Sequence, residues 1–195
     1  TFHAGTVKNS VMEFFGDGIA QLAMDYRCGI DVMTTETGCL SSVWQTDETV
    51  RHWLAAHGRQ EAYRAMAPQD GAYYDALIEV PLDRVEPMIA LPFHPSNAYT
   101  IREFNENRTD ILHGVDATTV SALGLHNTPD SLLKKVRNGK FYADQGVIAG
   151  CSGGTFQNLT VAAQLLGGKP LGNGEFSLSC YPASQPVMME LLRTG

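Results

Sequence analysis

The chain has no long apolar run, no block of basic residues and no closely paired cysteines, and each absence removes a class of protein. No apolar stretch approaches the roughly 20 residues that a membrane-spanning helix requires, so no membrane role is expected. The longest basic cluster is Lys134-Lys135 and the formal net charge is -7, which argues against a DNA- or RNA-binding surface. Cys28, Cys39, Cys151 and Cys180 are scattered without a Cys-x-x-Cys pair. A disulfide framework is therefore not expected, and the reducing cytoplasm is the expected location. The opening TFHAGTVKNS lacks the basic start and apolar core of a secretory signal. Without one, the sequons Asn107-Arg108-Thr109 and Asn158-Leu159-Thr160 read as chance. Low-complexity segments and usable internal repeats are also missing.

What is present is globular. Hydrophobic residues make up 44% of the 195 and charged residues 18%, enough apolar material for a core in one large domain or two small ones. The chain starts at Thr and stops at Arg-Thr-Gly directly after a helical pattern, which leads us to expect a piece of a longer protein.

Strands and helices alternate along it. Val11 to Phe15 reads as a strand closed by Gly16-Asp17-Gly18. Residues 18–35 carry Ile19, Leu22, Ala23, Tyr26, Ile30 and Met33 at helical spacing. Ser41 to Gln45 reads as a second strand, and Asp47 as the cap of a helix reaching His57, with Gly58 as its stop. Tyr74 to Val80 reads as a good strand and Pro87 to Leu91 as a weaker one. LPFHPSNAYT reads as a linker or crossover, and the polar FNENRTDILHGVDATT takes only a loose assignment. A short helix is expected over Ser131 to Val136. Beyond it come strand Gly146 to Gly150, helix Thr155 to Leu166, strand Phe176 to Ser179 and helix Ser184 to Arg193. The class is α/β.

The junction GVIAGCSGGTFQNLTVAA, Gly146 to Ala163, carries the chemistry. A strand feeding a helix through small residues brings backbone N–H groups to the carboxyl edge of the sheet, where ligands of open α/β sheets sit. Three uses of Cys151 stay open on the residues alone. It is a small buried residue beside permissive glycines, a nucleophile over an anion-binding loop that lacks an arginine, or a metal thiolate whose other ligands lie elsewhere.

IAGCSGGTFQNLTVAAQLL resembles the Gly-Ser-Cys-Thr-Asn stretch of the aconitase family, and FSLSCYPASQPVMMELLRTG resembles the strand, Pro-x-Ser turn and helix that follow there. Upstream, GTVKNSVMEFFGDGIAQLAMDYRCGIDVMTTETGCLSSVWQTDETVRHWLAAHGR is similar to the family's Gly-Pro-Gly-Val and Met-Gly-Ala-Glu-x-Gly-Ala-Thr segment. YYDALIEVPLDRVEPMIALPFHPSNAY is similar to its Tyr-Asp-x-x-Ile-Glu-Ile-Asp-Leu-x-x-x-x-Pro stretch. The matches are colinear over roughly residues 5–103 and 145–195, while residues 104–144 read as an insertion.

The resemblance implies two tandem three-layer α/β/α units like the family's second and third domains, over residues 1–94 and 95–195. It implies that Cys151 is the first ligand of a 4Fe–4S cluster, the other two cysteines falling beyond Gly195. It also implies that Glu36 contacts the water or hydroxyl on the open iron, sharing its proton while iron acts as Lewis acid. On its residues alone, Glu36 reads as a solvent-facing helix-end glutamate. Cys28, Cys39 and Cys180 match no ligand position and read as buried. The family's asparagine four residues before the glutamate is Val32 here, and its Cys-Thr-Asn is Cys151-Ser152-Gly153. These departures imply a divergent hydratase branch.

The six histidines offer no metal spacing: His52 and His57 are five apart, and His3, His94, His113 and His126 read as ordinary residues. Trp44 and Trp53 read as core. The function so implied is that of a hydro-lyase acting on a small hydroxy-polycarboxylate, with the remaining domains of the same protein as partners and this piece inactive alone. The alternative is a cluster-free homologue that binds a small acid, RNA or a protein. A stand-alone cysteine enzyme is a third reading, which requires fast stoichiometric alkylation of Cys151 at neutral pH.

Overall fold

A computed structural model describes residues 5–126, 131–171 and 174–195; His3 lies outside the described residues. In chain order the first elements are β1 (Val11–Phe14), α1 (Met24–Met33), β2 (Ser41–Trp44) and α2 (Glu48–Ala56). Then come β3 (Met88–Ala90), β4 (Ala98–Thr100), α3 (Ile101–Leu123), β5 (Val136–Arg137) and β6 (Lys140–Phe141). The last are β7 (Gln145–Ile148), α4 (Gly150–Gly153), α5 (Phe156–Leu166), β8 (Ser177–Cys180) and α6 (Gln185–Thr194).

Two β-α-β crossovers build the first compact unit, Thr1–Glu79 with Gln145–Gly195. Strands β1 and β2 pair in parallel, Val11 opposite Ser41 and Phe14 opposite Trp44, and α1 lies in the connection that parallel pairing demands. Strands β7 and β8 pair the same way, Gln145 opposite Ser177 and Ile148 opposite Cys180, with α4 and α5 between them. The fold is α/β, as expected, and each ladder has two strands among the described residues.

Local chemistry explains where these elements begin. Helix α2 starts where the Asp47 side chain accepts from the Val50 N–H at 3.1 Å, a cap that leaves one fewer orphan donor. Helix α6 starts at Ser184, whose hydroxyl accepts from Val187 at 3.4 Å, with Pro186 in the first turn where no backbone donor is needed. One ion pair is central to the unit. The Arg27 guanidinium, 3% exposed, meets both oxygens of Asp47 at 3.0 and 2.7 Å. Two more of its N–H groups donate to the carbonyls of Leu22 and Ile19. Phe14 stacks on Trp44 with ring centroids 4.3 Å apart; both tryptophans are half-buried.

The second unit is Val80–Asp144. Strands β3 and β4 form an antiparallel pair, Met88 opposite Thr100, and β5 and β6 another, Val136 opposite Phe141. Leu91, Phe104, Leu112 and Val115 form its buried core, with Phe141 edge-on to Phe104 at 5.6 Å. Contacts thus group the chain differently from a boundary near residue 94, because residues 145–195 belong with the first part of the chain.

Three expectations are corrected here. Tyr74 to Val80 is not a strand: no described strand pairs with it, and Leu77 stands 76% exposed. LPFHPSNAYT is not a linker but the return from β3 together with β4 itself, closed where Leu91 N–H donates to Asn97 O at 2.8 Å. The loosely assigned FNENRTDILHGVDATT lies within α3, the longest helix described, which is kinked at Asn107. Its cap is Thr100, whose hydroxyl accepts from the Glu103 N–H at 3.0 Å.

Few apolar side chains are buried among the described residues for so apolar a chain. In the first unit Val7, Ile19 and Leu159 are, while Leu40, Leu165 and Leu192 are each about 70–80% exposed.

Candidate functional site

Strand β7 ends at Ile148, and the chain then turns at Gly150, whose φ of +81° favours glycine. Cys151 follows at the carboxyl edge of the β7–β8 ladder and is exposed; it is not a buried small residue. The turn is held from three sides. Gly154 N–H donates to Gly150 O at 2.9 Å and Gly154 O accepts from Ala183 N–H at 2.8 Å. The Asn158 amide donates to Ser152 O at 2.7 Å. No side chain fits at Gly154, where a Cβ would lie 2.3 Å from Tyr181 O.

Glu36 lies in the 3₁₀ turn Thr34–Thr37 that continues α1, and Gly38 ends that turn in the left-handed region at φ +71°. The turn is anchored below the glutamate. Buried Thr34 donates to Asp31 O at 2.7 Å, and Thr37 to Thr34 O at 2.6 Å. The Asp31 carboxylate accepts from Ser42 and from the Trp44 indole N–H, tying the end of α1 to β2. The Glu36 side chain is exposed. No described residue hydrogen-bonds its carboxylate or the Cys151 thiol, so both are available to a ligand.

Helix α1 supports both residues. Gly29 faces Ser152: a Cβ there would lie 3.8 Å from Ser152 O, in ordinary van der Waals contact. One turn earlier, the Asp25 carboxylate accepts from the Gln157 N–H at 2.9 Å, across 132 residues of sequence. Glu36 follows Gly29 by seven residues, a rise of roughly 10 Å if wholly helical.

The other cysteines differ from expectation in degree. Cys28 and Cys39 are half-buried, whereas Cys180 is exposed rather than buried, because β8 ends there at the open edge of a two-stranded ladder. Burial pushes the Cys28 thiol up, and the Asp25 and Asp31 carboxylates push it further, so it resists becoming a thiolate. His57 stacks on Trp53 at 4.0 Å and bonds its carbonyl. Among the described residues no three His, Cys, Asp or Glu side chains gather as a metal site. An open groove of about 720 Å³ between α1, α2 and α5 is lined by Asp25, His52, Trp53, Phe156 and Gln157; neither Glu36 nor Cys151 lines it.

A model of the aconitase family (aconitate hydratase) matches residues 1–195. This chain belongs to the aconitase family. Similar proteins include the 3-isopropylmalate dehydratase large subunits of Caldicellulosiruptor bescii, 26% identical over 94% of this chain and 35% of that protein, and of Clostridium kluyveri, 27% identical over 98% and 37%. That of Acetivibrio thermocellus is 27% identical over 94% and 35%. The chain thus spans little more than a third of the length of these relatives. The match includes residues 104–144, read from the sequence as an insertion.

Asp25, Gly29, Arg27 and Asp31 are the supporting residues that sequence reasoning missed in this aconitase-family chain. Their signal was present: Asp25 and Gly29 are four apart, hence on one helix face. Three charged residues interrupt a helix read for its apolar positions.

Proposed function

We propose that this chain supplies part of the active site of an aconitase-family hydro-lyase that removes water from a hydroxy-polycarboxylate and adds it back. The observation that carries this reading is the support of two exposed, unbonded groups, Cys151 and Glu36, by one helix of a family member. The donor chemistry suits a 4Fe–4S cluster in part: Cys151 offers one soft thiolate ligand, and the others must come from chain outside these residues. When bound, that cluster supplies a Lewis-acidic iron for the departing hydroxyl.

This chain's own residues then divide the remaining work. Glu36 orients the hydroxyl by hydrogen bonding and gives it a proton from a carboxyl oxygen as it leaves as water. In the reverse direction it takes a proton back from the incoming water. Val32 and Gly153 carry no polar group toward the site, so fewer contacts fix the substrate than in the family's pattern. The exposed apolar side chains of the first unit fit a body that the rest of the protein covers. Among the described residues no helix is long and apolar enough to cross a membrane, and four free cysteines suit the reducing cytoplasm.

The test uses the full-length protein, reconstituted anaerobically with iron and sulfide and assayed for hydration of unsaturated di- and tricarboxylates. Glu36→Gln keeps a hydrogen-bonding side chain without a base, so kcat should fall about 100-fold or more while the cluster absorbance persists. Unchanged turnover in that variant removes Glu36 from the reaction. A protein that never takes up iron supports the cluster-free binder instead.

A further inference from the structure

Helix α5 is capped in an unusual way. Thr155 stands at its N-cap, yet the Thr155 hydroxyl makes no cap bond and is buried without a partner. The Gln157 N–H that a local cap would serve is taken by Asp25 from α1, at 2.9 Å. The next residue, Asn158, donates to Ser152 O at 2.7 Å. Ser152 in turn packs on Gly29, four residues after Asp25 on the same helix face. These contacts close a ring from Asp25 through Gln157, Asn158, Ser152 and Gly29 back to α1, and Cys151 is the neighbour of Ser152 in the chain.

We infer that Asp25 is a positioning residue: its bond to Gln157 fixes the turn bearing Cys151 against the helix that leads to Glu36. The inference rests on the reading of Cys151 and Glu36 as parts of one site. Asp25 touches neither and acts through α5. A carboxylate at a helix N-terminus also complements the helix dipole, but the hydrogen bond alone sets the geometry, so an uncharged acceptor should serve.

The experiment measures alkylation of the folded chain by iodoacetamide, resolved by peptide, with the other exposed cysteine, Cys180, as internal reference. Asp25→Leu keeps the approximate size and removes the acceptor. The freed turn then offers the thiol to more directions of approach, and the Cys151 rate should rise about threefold or more through local opening. The Cys180 rate should stay at the parent value. Asp25→Asn retains an acceptor oxygen and should restore the parent Cys151 rate. If Asp25→Leu does not fold, Gln157→Pro deletes the same bond from the donor side, at a first-turn position that tolerates proline, and should produce the same selective rise.

An unchanged Cys151 rate in a folded variant overturns the inference. So does an equal change at both cysteines, or an Asp25→Asn protein that behaves like Asp25→Leu. No iron or substrate enters this assay, so its failure leaves the hydratase reading standing. Equally, a full-length protein without turnover leaves the thiol result untouched.

Discussion

Arg27→Ala should destabilise the first unit by about 3–5 kcal/mol, the cost of removing one partner from a buried ion pair. The guanidinium is 3% exposed and its partner Asp47 24%, so deletion leaves a carboxylate that water reaches only in part. Two carbonyls, of Leu22 and Ile19, also lose their donors. Arg27→Lys should rescue little, because a single ammonium cannot span both Asp47 oxygens and both carbonyls. Urea unfolding of the three proteins gives the comparison, and a loss below about 1 kcal/mol contradicts a structural role for the pair.

The same pair carries a pH signature. The hydrogen bond from Arg27 holds the Asp47 carboxyl below its usual range, against some desolvation, with the Val50 N–H adding to the effect. The folded pKa therefore lies below the unfolded one. The stability from this group is present above the unfolded value, near pH 4, and is lost as pH falls through the folded value. Arg27→Ala should remove most of that acid-limb dependence.

Gly154→Ala should cost about 3 kcal/mol or prevent folding of the unit, at the upper end of overpacking effects. The added Cβ would lie 2.3 Å from Tyr181 O, 2.9 Å from Ala183 N and 3.0 Å from Gly150 O. All three atoms are backbone, so no side chain can swing aside. Relief requires the segment after β8 to move, which breaks the Ala183–Gly154 hydrogen bond and releases the Cys151 turn. Gly146→Ala is the control. Its Cβ would press on the Phe176 ring at 2.8 Å and a Leu178 methyl at 3.0 Å, both side-chain atoms that can shift, so about 1 kcal/mol is expected. Thermal melts should separate the two variants clearly; equal melts contradict the backbone clash.

Much of the site's frame was legible in the sequence because its signals are local. Asp47, read as a helix cap, does cap α2, and Ser184, read as a helix start, caps α6, while Gly38 and Gly150 mark turns with positive φ. Strands β1, β2, β7 and β8 fall within a residue or two of their expected bounds. The misreadings have non-local causes. Tyr74 to Val80 has the composition of a strand, but strand formation needs a neighbour, and none among the described residues pairs with it. Helix α3 was hidden because its buried residues, Phe104, Leu112 and Val115, occupy one narrow stripe of a long polar segment. The bond from Gln157 to Asp25 spans 132 residues, and no local pattern announces such a partner. Glu36 and Cys151 themselves were found through family resemblance; their exposure and common support on α1 came from the fold.

Cluster assembly on the full-length protein tests the central claim most directly. After anaerobic reconstitution, the parent should show broad iron–sulfur absorbance with close to four irons per chain, as a 4Fe–4S centre requires. Cys151→Ser should lose most of that iron, whereas Cys180→Ser, at another exposed thiol, on the neighbouring strand β8, should retain it. Full iron retention in Cys151→Ser, or equal loss in both variants, would contradict the assignment of Cys151 as the cluster ligand.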